Sequence, residues 1–250
     1  MSRGFYTLAS GMLTQQRKID ISSNNIANMN TPGYKKEQTV TTTFGELFIN
    51  KYKQNGVYNE ATPINDVSLI RTVLENNTFH SQGTLEETGR ALDFAIMGPG
   101  FFSVDVDNQM MYTRNGSFNI DDEGYLILEG SGRVQGEFGE IYLGTDKFGF
   151  SQDGTISVDG EAVDRIAVYD FADYNTINKY GPGMYISDAD PDLMDYPQVL
   201  NQTIERSNVN MTEEFTEILA SQRSLQTASQ AFKIYDMINE KAVTEIGKVD

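Results

Sequence analysis

The sequence predicts a mixed α and β chain in which an antiparallel, β-rich central domain is inserted between N- and C-terminal coiled-coil helices. Three observations carry this. Phe5, Met12, Ile19 and Ile26 recur every seven residues, with Leu8 at an apolar intermediate position and Gln15 and Ser22 at polar ones. Met211, Ile218, Leu225, Phe232 and Ile246 lie on a second seven-residue grid whose one polar member is Asn239, with Phe215 and Val243 in the adjoining row. A repeat of 3.5 residues per turn keeps one stripe facing a partner helix. Between the two grids the texture changes to short alternating or aliphatic runs separated by glycine turns.

The elements follow in order. Residues 1–36 hold the first helix and its stop, SSNNIANMNTPGYKK. Asn28 or Asn30 is expected to take the left-handed conformation that ends a helix, Pro32 pushes Thr31 towards extended geometry, and Pro32-Gly33 suits the centre of a type II turn. Asn24 and Asn25 flank Ile26 on the seam, where asparagine is a weak helix former. Their amides are expected to bond backbone or a neighbouring subunit and to fix register. Residues 37–83 read as a connecting arm with some strand. Residues 84–206 form the β-rich domain, with FFSVDV, MMYTR, YLIL, IYL, ISV and IAVYDF as strands. Asn115-Gly116, Asp153-Gly154 and Asp159-Gly160 are hairpin dipeptides, and Glu123-Gly124 marks a further turn. Residues 207–250 hold the second helix, from about Met211 to Ile246, capped by Asn210 with Glu213 three residues on.

A domain inserted between two terminal helices brings its ends together, so the helices are expected to run antiparallel, side by side. Such a pair covers one stripe of each helix, and Leu13, Ile21 and Met29 lie off the seam of the first. If neighbouring copies cover that surface, the contact is head-to-tail and builds a ring or a helical filament.

Composition narrows the chemistry. The formal charge of -17 is uneven: residues 54–207 carry 26 acidic against 8 basic side chains, while residues 1–53 carry 3 against 7. An acidic centre argues against a nucleic-acid partner, which needs a clustered basic face. No apolar run approaches the length of a membrane span, so no membrane insertion is expected, and the N-terminus lacks the apolar core of a cleaved leader. With no cysteine, disulfides, thiolate metal sites and cysteine nucleophiles are excluded, and a single histidine, His80, excludes a multi-histidine metal site. Asp188, Asp190 and Asp192 open like a calcium loop but are followed by Leu193 and Val199 where glycine and glutamate are required. Gly98-Pro99-Gly100 lacks the Lys-Ser/Thr of a phosphate loop. No catalytic, cofactor-binding or metal residue is predicted, and no cofactor.

Four segments resemble the bacterial flagellar rod and hook protein family. SGMLTQQRKIDISSNNIANMNTPGYKK is similar to that family's rod motif, roughly NNxANxxTPGYK, with Asn24, Asn25, Ala27, Asn28, Thr31, Pro32, Gly33, Tyr34 and Lys35 at the matching positions. HSQGTLEETGRALDFAIMGPGFFSV, YTRNGSFNIDDEGYL and SNVNMTEEFTEILASQRSLQTASQAFKIYDMI resemble further family patterns. The resemblance implies a structural subunit that assembles helically into the torque-transmitting axial tube of the basal-body rod, of the larger proximal or distal type. Its implied partners are copies of itself, neighbouring axial rod and hook proteins and the flagellar export apparatus, which passes the chain unfolded to the periplasm-spanning rod. Phe5, Leu8, Met12, Ile19, Ile26, Met211, Phe215, Ile218, Leu225, Phe232 and Ile246 are the candidate assembly seam. The competing reading is a secreted or surface β-domain binding module with helical termini, outside any polymer.

Overall fold

The computed structural model describes residues 3–43, 71–145, 147–158 and 160–246. Residues 44–70 of the arm, Asp159 of the Asp159-Gly160 turn and the Ile246 side chain lie outside the described residues. The chain divides into two compact units, one of Met1–Ile26, Glu37–Phe79 and Asn210–Asp250, the other of Ala27–Lys36 and His80–Val209.

The first unit contains α1 (Arg3–Ala27), β1 (Glu37–Thr43), β2 (Arg71–Thr78) and α2 (Met211–Ile246). β1 and β2 form an antiparallel ribbon from Glu37↔Thr78 to Thr43↔Arg71, with a register shift between Val40 and Thr41. The start of α2 follows from its cap: Asn210 Oδ1 accepts from the Thr212 N–H at 3.0 Å, satisfying a donor that has no partner within the helix. Glu213 and Glu214 add negative charge at the positive end of the helix dipole. The helices are antiparallel: Phe5 packs on Phe232 with ring centroids 4.5 Å apart, Lys18 pairs with Glu217 at 3.1 Å, and Asn25 bonds Glu214 at 3.2 Å. No described helix is long and apolar enough to cross a membrane.

The second unit is β-rich. Its strands are β3 (Leu85–Glu87), β4 (Phe94–Ile96), β5 (Phe101–Val106), β6 (Gln109–Thr113), β7 (Phe118–Ile120), β8 (Leu126–Leu128), β9 (Gly132–Val134), β10 (Gly149–Phe150), β11 (Thr155–Val158), β12 (Glu161–Arg165), β13 (Val168–Asp170), β14 (Ile177–Gly181), β15 (Met184–Ser187), β16 (Asp192–Leu193), β17 (Val199–Asn201) and β18 (Thr203–Glu205). The principal sheet runs β14-β15-β6-β5-β9-β8-β7, with β13 pairing β5 and β16. β10-β11-β12 form a second sheet, and β17-β4 and β18-β3 form two-stranded pairs. Every strand pairing among the described residues is antiparallel.

Alternation along β5 sends adjacent phenylalanines to different cores. Phe102 joins Phe94, Phe118, Leu126 and Val134 in the main core, while Phe101 joins Tyr112, Phe171 and Tyr185 in a smaller aromatic cluster. Each such side chain contributes about 1.5–3 kcal/mol by leaving water.

Of the expected strands, IYL (141–143) is reduced to an isolated bridge at Tyr142. The expected turns divide. Gly124 and Gly154 have φ of 92° and 88° and lie between the paired strands β7-β8 and β10-β11. Asn115-Gly116 is not a hairpin, because β6 and β7, which it joins, are not neighbours. Gly116 serves packing instead: a Cβ there would fall 1.8 Å from the Phe94 carbonyl oxygen. Asn115 folds its side chain back to accept from the Ser117 N–H at 3.1 Å.

Candidate assembly site

The helix pair has a regular inner stripe. On α2 the covered positions include Glu214, Ile218, Ser221, Leu225, Ala228 and Phe232, spaced alternately by four and three residues, with Ser229 and Ala231 covered beside them. On α1, Thr14, Ile21, Ser22 and Asn25 are buried, and Phe5, Leu8, Met12, Ile19 and Ile26 are half-buried. Small polar groups thus occupy the tightest part of the seam, and the large apolar residues predicted for it are covered only in part. Met211 and Phe215 are 44% and 45% exposed, at the start of α2. Leu13, Leu219, Ile234, Ile238 and Val243 are also exposed, and a groove between the helices is lined by Met12, Leu13, Gln16, Leu225 and Gln226 among others.

The two seam asparagines differ. Asn24 is exposed, whereas Asn25 is fully buried. The Asn25 amide is held within the chain: Nδ2 donates to the Glu37 carbonyl at 2.8 Å, and Oδ1 accepts from the Glu37 N–H at 3.0 Å. Both backbone groups at the start of β1 are thereby satisfied by one side chain, as a strand partner would satisfy them.

α1 stops without a left-handed asparagine. Among the described residues the non-glycine residues with positive φ are Asp107, Asn108 and Gln202, so neither Asn28 nor Asn30 plays the expected part. The helix ends in successive turns instead: Thr31 N–H donates to the Asn28 carbonyl at 3.1 Å and Tyr34 N–H to the Thr31 carbonyl at 3.3 Å. Pro32 and Gly33 are the centre of the second turn, and Gly33 has φ of 69°, as a type II turn requires. A side chain at Gly33 is also excluded by space, since a Cβ would lie 2.2 Å from the Arg114 carbonyl carbon. Ala27 is exposed; Tyr34 is fully buried, its ring 4.7 Å from the Lys179 ammonium.

Directly after this turn stands a buried ionic cluster. Glu205, on β18, is 1% exposed. Its Oε1 accepts from Lys35 Nζ at 2.5 Å and from the Gly83 N–H at 2.8 Å, and its Oε2 accepts from Arg114 Nη1 at 3.2 Å. Its carbonyl accepts from the Gly33 N–H at 2.8 Å. Lys35 donates further to the Ser81 carbonyl at 2.9 Å and Arg114 to the Gly98 carbonyl at 2.7 Å. Asn208 accepts from the Lys36 N–H at 2.7 Å and donates to the Ser81 carbonyl at 3.1 Å. The TPGYK, HSQG and YTRNG motifs therefore meet at one carboxylate, with GPG held through Arg114 and SNVN through Lys36 and Ser81. Two cations and one anion lie in low-dielectric surroundings, and the cluster stands because nearly every lone pair of the anion has a donor. Burial lowers the Lys35 pKa, against the raising effect of Glu205.

His80 adjoins this cluster, stacked on Tyr174 at 5.0 Å and edge-on to Phe101 at 5.8 Å. Burial, then the charges of Lys35 and Arg114, push its pKa down from 6.5 to about 4. The imidazole is neutral at pH 7, and between pH 6.5 and 4 the unfolded chain binds the extra proton. Stability is therefore present above pH 6.5 and is lost as pH falls towards 4, by about 2 kcal/mol after allowance for partial exposure. Urea midpoints at pH 7 and pH 4.5, compared between the natural chain and His80→Phe, measure this. The phenylalanine variant is expected to lose less stability on acidification, and equal losses would refute the assignment.

Sequence reasoning marked Lys35 only as a motif position and did not single out Arg114 or Glu205. The available signal was the alternation along β18, where Thr203 and Glu205 both face inward. Among the described residues no group of three or more His, Cys, Asp or Glu is placed to hold a metal ion.

Comparison with known proteins accords with this geometry. Residues 5–35 match the family model for the flagella basal body rod protein, residues 95–159 the flagellar hook protein FlgE/F/G D1 domain, and residues 200–245 the flagellar basal body rod FlgEFG protein C-terminal model. The flagellar basal-body rod protein FlgG of Bacillus subtilis is 31% identical over 260 residues, covering 97% of this chain and 98% of the relative. FlgF of Caulobacter vibrioides and the hook-basal body complex protein FlhO of Bacillus subtilis are each 28% identical, with 100% of both chains covered. The likeness runs through both helices as well as the strands, so nothing favours the reading as a free binding module. An identity of 31% sustained along nearly the whole of both chains makes this protein a member of the flagellar basal-body rod family and a structural rod subunit.

Proposed function

We propose that the α1/α2 pair is the polymerising element, through which copies of the chain assemble helically with one another and with neighbouring rod and hook proteins into a torque-transmitting tube. Residues 1–36 and 207–250 act as axial segments, 37–83 as the connecting arm and 84–206 as the outer domain. The chain catalyses nothing and is delivered by the flagellar export apparatus. The carrying observation is the incomplete seam: its innermost positions are small or polar apart from Ile21, while Leu13 and Ile238 remain 72% and 58% exposed. Apolar helix faces uncovered within one chain are the surfaces that copies of it would bury.

The test uses Leu13→Glu combined with Ile238→Glu. Both positions are exposed, so each change is expected to alter chain stability by no more than about 0.5 kcal/mol. Rods in purified basal bodies and motility should both be lost while circular dichroism and the urea midpoint stay near those of the natural chain. Motile cells with normal rods would overturn the proposal.

A further inference from the structure

The most exposed large apolar side chains among the described residues are not on the helices. They are Phe138, 87% exposed, and Tyr196, 86% exposed, both in the β-rich unit. Phe138 sits in a tight turn in which the Gly136 N–H donates to the Gly139 carbonyl at 2.6 Å and Gln135 bridges Glu140. Turn tips ordinarily carry glycine, asparagine, aspartate or serine, and a solvated phenylalanine adds nothing to the fold.

One guanidinium ties together the residues that precede the two aromatics. Arg165 Nη2 pairs with Glu137, the residue before Phe138, and Nη1 donates at 2.8 Å to the carbonyl of Asp195, the residue before Tyr196. The Glu137 N–H returns a bond to the Arg165 carbonyl at 3.0 Å. A bulge in the β11-β12 ladder, between Ile156↔Asp164 and Ser157↔Ala162, leaves Val163 out of register and 41% exposed, two residues from Arg165. An arginine tying down two aromatic-bearing segments has the composition of an interface centre, with little backbone freedom left to lose on docking.

Charge selects the occupant. Glu137, Asp153 and Asp195 act on the single Arg165, leaving the patch acidic. A second copy's β-rich unit would bring like charge, given 23 acidic against 7 basic residues over 80–207. We infer that the Phe138–Tyr196 face docks a protein other than this chain, one presenting lysine or arginine side chains around an apolar pocket. The inference rests on the rod reading only in using flagellated cells for its test.

The test places p-benzoylphenylalanine at position 138 or 196 of the full chain in such cells, followed by irradiation and mass spectrometry. The expected product joins the chain to a different protein through a segment rich in lysine or arginine. Its yield should fall several-fold when Asp153→Asn and Asp195→Asn remove two of the carboxylates. Cross-links only to copies of this chain, an acidic partner segment, or no product from either position in cells whose rods contain the chain would each overturn the inference. Rod incorporation, scored separately by electron microscopy, distinguishes this failure from failure of the rod reading.

Discussion

Glu205→Leu is expected to destabilise the full chain by about 3–5 kcal/mol, because it strands Lys35 and Arg114 as two buried cations with no counter-charge. Lys35→Met removes a charge from the same cluster and should cost far less, about 1–2 kcal/mol, since Arg114 and Glu205 then remain as a neutral pair. The asymmetry follows from the cluster's excess of one positive charge and not from the number of bonds broken. With thirteen tyrosines and no tryptophan, urea unfolding is followed by near-ultraviolet circular dichroism at pH 7. A larger loss from Lys35→Met than from Glu205→Leu would show that the cluster is held by the lysine's contacts with Ser81 and not by the carboxylate.

Asn25→Ala should cost about 2–4 kcal/mol, as it removes the buried side chain that accepts from the Glu37 N–H and donates to the Glu37 carbonyl and to Glu214. Asn25→Asp should be no rescue. A carboxylate can accept from the Glu37 N–H, but it cannot donate to the carbonyl, and it stands against the Glu214 carboxylate. Asn24→Ala, at an exposed position, is expected to change stability by under about 0.5 kcal/mol. Thermal melts of the three variants check the ranking, and equal losses at 24 and 25 would refute the backbone-clamp role.

These two sites mark the limit of what the sequence made legible. Periodicity revealed the helices, and α2 runs from Met211 to Ile246 as its Asn210 cap implied, because grid and cap are both local. The antiparallel pairing followed from connectivity alone. Thr31-Pro32-Gly33-Tyr34 was legible as a type II turn, since proline and glycine restrict the backbone by themselves. Asn25 was legible as a hydrogen-bonding residue on the seam, but its partner is the backbone of Glu37, which no side-chain pattern announces. The Lys35–Arg114–Glu205 cluster was hidden by distance: its members lie in different motifs, and each is an ordinary charged residue in its own neighbourhood. Asn115-Gly116 misled for a related reason, because its glycine answers to Phe94 on another strand and not to the adjoining chain.

Separation along the chain has a kinetic meaning as well. Glu205 lies 170 residues after Lys35 and 91 after Arg114, and closing the longer of these loops costs roughly 4–5 kcal/mol of chain entropy before any reward arrives. Adjacent hairpins such as β5-β6 and β11-β12 carry no such cost and can form early. In a chain synthesised N-terminus first, Lys35 and Arg114 stay hydrated until β18, the last strand, emerges. The anion that completes the joint is preceded by 204 of the 250 residues, so the order of synthesis itself delays closure of the cluster until the strands of the β-rich unit have all been made.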